Sequence, residues 1–110
     1  MTMTTDKMSF NEYQQFCQEV RLPSASPEYA VLSLGGEAGE LLGYIGKAIR
    51  DGRKPDYDQN IKKELGDVLW NVAIIALDHG FTLQDIADAN VYKLSSRRDR
   101  GTLQGSGDNR

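Results

Sequence analysis

The chain is predicted to be all-α, a four-helix bundle, and three observations predict it. Apolar residues recur at three- and four-residue spacing in four separate segments, each segment opens on a recognisable cap, and no stretch reads as a strand. The 110 residues fit one domain spanning 1–110. A domain of this size buries roughly 65% of the surface its unfolded chain exposes, so completion of the bundle by homo-oligomerisation is expected.

The first helix begins after Ser9, whose hydroxyl caps it while Glu12 reaches back in a capping box. Phe10, Tyr13, Phe16, Cys17 and Val20 share one face, and Pro23 closes the segment. The second starts with Ser26 as N-cap and Pro27 at the first helical position. Its apolar stripe is Ala30, Val31, Leu34, Ala38, Leu41, Leu42, Ile45 and Ile49, and the run DGRKPD from Asp51 to Asp56 is a turn. Gly35, Gly36 and Gly39 interrupt this helix at about 1 kcal/mol each, which points to close approach of another backbone or of a ligand.

The third helix is expected from about Tyr57 to His79, capped by Asp56 or Asp58 and stopped by Gly80. Leu65, Val68, Leu69, Val72 and Ala76 form its expected core stripe, and Trp70, Ile74 and Leu77 a second apolar side. Apolar residues on two sides predict a partner subunit. The fourth helix is capped by Thr82 with Asp85 three residues on, and carries Leu83, Ile86, Ala87, Val91 and Leu94. From about residue 98 the arginine- and glycine-rich end is expected to be a flexible tail.

Composition excludes several function classes. A net charge of -3 gives no footprint for a nucleic acid polymer. No run approaches the roughly 18 apolar residues of a membrane span. Met1 to Lys7 is polar and lacks the apolar stretch of a signal peptide, so a cytoplasmic protein is expected. The single cysteine, Cys17, forms no disulfide within the chain and is expected to be buried.

The informative residues are two acidic pairs, Glu37 with Glu40 and Glu64 with Asp67. Three-residue spacing puts each pair on one side of a helix, along one edge of its apolar stripe, with Asn71 continuing the second edge. An antiparallel hairpin of the two helices brings the edges together. Four carboxylates so gathered repel one another and lose hydration, a conflict that a hard divalent cation such as Mg²⁺, or Mn²⁺ in its place, removes. With no histidine or cysteine cluster, zinc is not implied. Lys93 and Arg97, one turn apart on the fourth helix, form either an anion-binding pair or a solvated basic helix end that interacts with the helix dipole. Tyr13, Phe16, Tyr44 and Trp70 fit core or interface positions, with base stacking as the alternative. His79 ends the third helix without a catalytic part.

The runs LGGEAGELLG, Leu34 to Gly43, and KELGDVLWNVA, Lys63 to Ala73, resemble the two halves of the EExxE…ExxD signature of the MazG-like, all-α nucleoside triphosphate pyrophosphohydrolases. The run from Asn90 to Arg110 is similar to the C-terminal segment of small MazG-like proteins. The resemblance implies a four-helix MazG-like bundle that assembles as a homodimer or homotetramer. It implies Mg²⁺-dependent cleavage of nucleoside or deoxynucleoside triphosphates to monophosphate and pyrophosphate, as in nucleotide-pool house-cleaning. It makes Glu37, Glu40, Glu64 and Asp67 metal ligands, with Glu37 or Glu40 as general base. Asn90 and Lys93 match phosphate- or sugar-contacting positions, and Lys47, Asn71 and Arg97 are further substrate-binding candidates. The sequence departs from the signature at its first glutamate, where Gly36 stands. Phosphoribosyl-ATP pyrophosphohydrolase is the nearest enzymatic alternative. A non-catalytic helical module that binds nucleotide or metal is the alternative of another class.

Overall fold

The computed structural model describes residues 7–110, so the signal-peptide reading of the first six residues lies outside the described residues. Four helices and no strand are present among them: α1 (Phe10–Val20), α2 (Pro27–Asp51), α3 (Tyr57–Asp78) and α4 (Leu83–Asp99). Local chemistry accounts for the boundaries. Ser9 and Glu12 close a capping box on α1, Ser26 accepts from the Tyr29 N–H with Pro27 at the first position of α2, and Thr82 and Asp85 close a second box on α4. Asp56 occupies the cap position of α3 without a side-chain hydrogen bond. The turn begins one residue later than expected, since Asp51 is the last residue of α2 and Gly52 (φ 93°) its cap.

The third helix is the hub. By backbone proximity α3 approaches the other three helices, whereas α2 approaches α3 alone. Tyr44 fastens the α2–α3 hairpin near its turn: its ring stacks on Tyr57 at 5.5 Å, and its hydroxyl accepts from Asn60 Nδ2 at 3.0 Å. At the other end α1 crosses α3 and α4, and Gln14 is the pin. Fully buried, it donates Nε2 to the Ala73 and Phe81 carbonyls and accepts from the Leu83 N–H, all at 3.0 Å. Arg21 adds a two-pronged ion pair to Asp78 at 2.7 and 2.9 Å.

The core holds Cys17, Ala30, Ala73, Ile74 and Leu83, with Tyr13, Trp70, Val72 and Ile75 packed around it. Burial of Cys17 pushes its thiol pKa up. The expected stripe on α3 holds at Ala76, which is buried, and at Val72, which packs against the core, but not throughout. Ile74, assigned to the second side, is fully buried, and Leu65, assigned to the core, is half exposed. The reason is tertiary, because α1 and α2 both lie on the Trp70–Ile74 side.

Along α2, Leu32, Leu42 and Ile49 are 77%, 67% and 82% exposed, and Gly35, Gly39 and Gly46 fall between them at alternating three- and four-residue steps. A Cβ built on Gly35, Gly36 or Gly39 meets nothing within 4 Å, so the close approach expected there does not occur within one chain. The radius of gyration is 16.9 Å, against about 13 Å for a compact domain of this length. None of the described helices is long and apolar enough to cross a membrane.

Candidate metal centre and adjoining cleft

Antiparallel packing of α2 on α3 brings the two acidic edges face to face. One carboxylate oxygen each from Glu37, Glu40 and Glu64 lies within 4.8 Å of the others. Asp67 is outside this group of three but lines a cleft together with Glu37, and its charge contributes to the behaviour of the Glu37 carboxyl. Glu37 is pushed above the usual carboxylate range, by burial first and then by repulsion from Glu40, Asp67 and Glu64. Oε2 of Glu37 and Oε2 of Glu64 are buried with no hydrogen-bond donor. Acceptors without donors in a negatively charged crevice are what a cation satisfies, and an all-oxygen donor set fits magnesium or manganese rather than zinc.

The cleft beside the carboxylates has a volume of about 370 Å³. Leu22, Tyr29 and Trp70 supply its apolar walls, Ser33 and Asn71 its polar ones. Asn71 is 1% exposed and donates Nδ2 to the Asp67 carbonyl at 2.9 Å. That carbonyl is purely an acceptor, so the amide orientation is fixed and Oδ1 is left as the free acceptor, buried and unpartnered. Tyr13 approaches from α1. Its phenol is held neutral by burial first, then by the neighbouring Cys17 and by the Asp67 charge. Tyr29 and Ser33 were not read as part of the site from sequence, although their i, i+4, i+8 spacing with Glu37 puts all three on one face of α2.

The predicted cations lie elsewhere. Lys47 borders a small cavity near the α2–α3 turn with Tyr44, Asp51 and Tyr57. Asn90 and Lys93 line a groove on the far side of α3, with Phe10 and Leu69. Asp67 and Leu69 are two residues apart, about 200° around the helix, so that groove and the carboxylate cleft open on opposite sides of α3. Arg97 is buried beneath the C-terminal segment. One chain thus gathers Glu37, Glu40, Glu64, Asp67 and Asn71, and does not bring Lys47, Asn90, Lys93 or Arg97 to them.

The C-terminal segment, expected as a flexible tail, carries its own hydrogen bonds. Arg110 donates to the carbonyls of Thr102, Leu103 and Gly107, Arg97 to that of Asp108, and Arg100 to that of Arg110. The Asp108 carboxylate pairs with both Lys93 and Arg97.

Comparison with known proteins places the chain in a family. The family model described as "MazG nucleotide pyrophosphohydrolase domain" matches residues 25–102, which include every residue of the acidic cluster. Gene 37 protein of Mycobacterium phage L5 is 42% identical over 85 residues, covering 74% of this chain and 75% of that one. The uncharacterized protein YvdC of Bacillus subtilis is 37% identical over 70 residues, covering 56% and 65% respectively. No solved structure matches the chain.

Proposed function

The chain belongs to the MazG nucleotide pyrophosphohydrolase domain family, and from that premise we propose that it hydrolyses nucleoside or deoxynucleoside triphosphates to monophosphate and pyrophosphate with Mg²⁺ as cofactor. The observation that carries the reading is the convergence of Glu37, Glu40 and Glu64 within 4.8 Å, two of them with a buried oxygen lacking any donor, beside a cleft of about 370 Å³ that Glu37 lines.

In this reading Glu37, Glu40, Glu64 and Asp67 hold the metal, with Mn²⁺ an acceptable substitute. When bound, the metal neutralises phosphate charge and acidifies water. Water adds to the α-phosphorus, the bond to the bridging oxygen of the β-phosphate breaks, and pyrophosphate leaves. Glu37 or Glu40 takes the proton the water loses. Tyr29 and Trp70 flank the base, and the free Asn71 Oδ1 offers an acceptor on the same cleft.

The chain acts as a homodimer or homotetramer in a cytoplasmic setting. The exposed seam Leu32–Gly35–Gly39–Leu42–Gly46–Ile49 supports assembly, as does the placement of Asn90 and Lys93 away from the carboxylates of their own chain. A second copy is then the source of phosphate-binding cations. The test is release of pyrophosphate from a panel of NTPs and dNTPs with Mg²⁺, with Mn²⁺ and with EDTA. Metal-dependent pyrophosphate and monophosphate are expected. Silence of the folded, metal-loaded protein across the panel would refute the proposal.

A further inference from the structure

The cleft beside the carboxylates runs along the groove between α2 and α3. Its lining passes from Glu37 and Asp67 through Ser33 and Asn71 to Tyr29 and the loop between α1 and α2. Asn71 stands four residues beyond Asp67, about 6 Å along the α3 axis. A nucleotide whose phosphates meet the carboxylates therefore carries its base toward Asn71 and the loop. That loop is fixed. Arg21 donates Nε to the Ala25 carbonyl at 2.8 Å and its two terminal nitrogens to Asp78, on α3, at 2.7 and 2.9 Å. The wall and Asn71 thus hang on the same helix, and the wall cannot withdraw from Asn71 without breaking those bonds.

Within this frame Asn71 is the polar group with the least choice. It is 1% exposed, and its Nδ2 is committed to the Asp67 carbonyl at 2.9 Å. Turning the amide over would set two acceptors against each other at that distance, so Oδ1 keeps the free position, where it is buried and has no donor. The hydroxyls of Ser24, Ser33 and Tyr29 differ, since they donate or accept as a ligand requires. Among the neutral side chains of the cleft only Asn71 is set to accept and nothing else. A buried acceptor left without a donor is costly, and a ligand in the cleft is what can bring the donor.

We propose that Asn71 Oδ1 reads the edge of the base, and that the chain prefers nucleotides whose base carries an exocyclic amino group, of the cytosine or adenine kind, over their oxo counterparts. The proposal rests on the reading above that triphosphates occupy the cleft. An amino group projects beyond the ring and offers two N–H groups, so it reaches a recessed acceptor. An oxo group at the same position sets oxygen against oxygen and leaves Oδ1 unpaired. The ring N–H beside such an oxo group is set back, and it reaches Oδ1 only by bringing the oxygen along. A site built to pair with a donor rejects the ligand that lacks one more strongly than a hydrophobic pocket rejects a misfit.

The measurement is kcat/KM, with Mg²⁺, for matched pairs that differ at that one position: dCTP against dUTP, and dATP against dITP. The amino member should win by about 10-fold or more in at least one pair. A smaller preference in both pairs, or a preference for the oxo member, overturns the inference and leaves the enzymatic reading standing. Asn71→Leu is close in size and deletes the acceptor, so it should bring the ratio to within about 3-fold of unity, whatever it does to the rates themselves. Asn71→Ala, which leaves a cavity and cannot overpack, is read in the same way. A merely structural role would lower both members alike and preserve the ratio, and that result also overturns the inference.

Binding separates this inference from the reading it rests on. The α,β-methylene analogues of the same four nucleotides resist hydrolysis, so their Kd values in Mg²⁺, measured by calorimetry, report the base edge without turnover. Tighter binding of the amino analogue, lost in Asn71→Leu, in a protein that turns over no nucleotide would keep the base preference and reject the hydrolase. Turnover of all four nucleotides with equal efficiency would do the reverse, and no binding of any analogue would overturn both.

Discussion

Replacing Glu37 by glutamine separates a carboxylate cluster kept for a cation from one kept for stability. Three carboxylate oxygens from Glu37, Glu40 and Glu64 lie no more than 4.8 Å apart. At that distance each ionised pair costs about 3.5 kcal/mol at an effective dielectric of 20. Glu37 takes part in two such pairs and feels Asp67 as well. Solvent at the exposed Glu40 reduces the sum, leaving a net relief of about 1–3 kcal/mol when Glu37 becomes neutral. In EDTA at mildly alkaline pH, Glu37→Gln should therefore be more stable than the wild type, by roughly 5 °C or more in Tm. With Mg²⁺ the order should reverse: the wild type gains stability with metal concentration, the variant gains little, and its turnover is lost. Thermal unfolding by circular dichroism, run with EDTA and with graded Mg²⁺, measures all of this. A variant less stable than the wild type in EDTA, or one with the full metal-dependent gain, would refute the reasoning.

Gln14→Leu keeps the size of the side chain but strips the Phe81 carbonyl and the Leu83 N–H of their partner, so a loss of about 2–4 kcal/mol is expected in urea unfolding. Asp67→Asn and Glu64→Gln should each lower metal-dependent turnover on the order of 100-fold or more while helicity is retained. Normal activity in either would remove it from the ligand set. The Arg21–Asp78 pair, with side chains 9% and 16% exposed, should contribute about 1–3 kcal/mol. Hydrogen bonding from Arg21 depresses the Asp78 pKa in the fold. The contribution is therefore present at neutral pH and lost as pH falls through the ordinary carboxylate range toward the depressed folded value. The stability gap between wild type and Asp78→Asn should close below about pH 4 in denaturation series.

What was legible in the sequence is what depends on neighbours a few residues away. The capping boxes at Ser9–Glu12 and Thr82–Asp85, and Pro27 after Ser26, set three helix starts by local hydrogen bonding and a fixed φ. The acidic edges are legible for the same reason, since i, i+3 spacing on a helix fixes geometry without reference to the rest of the fold. The inward side of α3 is not legible in this way. Its apolar residues occupy two sides, and only the position of α1, pinned through Gln14 to carbonyls 59 and 67 residues away, decides that Ile74 rather than Leu65 is core. Asp108 was passed over because a glycine- and arginine-rich end has no periodicity from which a partner can be read.

The glycines of α2 are the remaining discrepancy, and they carry a test. Close approach was expected at Gly35, Gly36 and Gly39, yet within the chain added Cβ atoms meet nothing, and the same holds at Gly46. For an isolated chain, alanine at exposed helical Gly46 should then be stabilising by about 1 kcal/mol. For a chain whose α2 seam packs on a second copy, the glycines let two backbones come together, and the exposed Leu32, Leu42 and Ile49 on the same seam become its apolar contacts. In that case Gly46→Ala should weaken association and lower the unfolding midpoint. Light scattering with concentration-dependent unfolding decides by sign. A stabilised variant with unchanged mass would place the subunit interface elsewhere, and a destabilised variant of lower mass would put it on the face of α2 that turns away from α3.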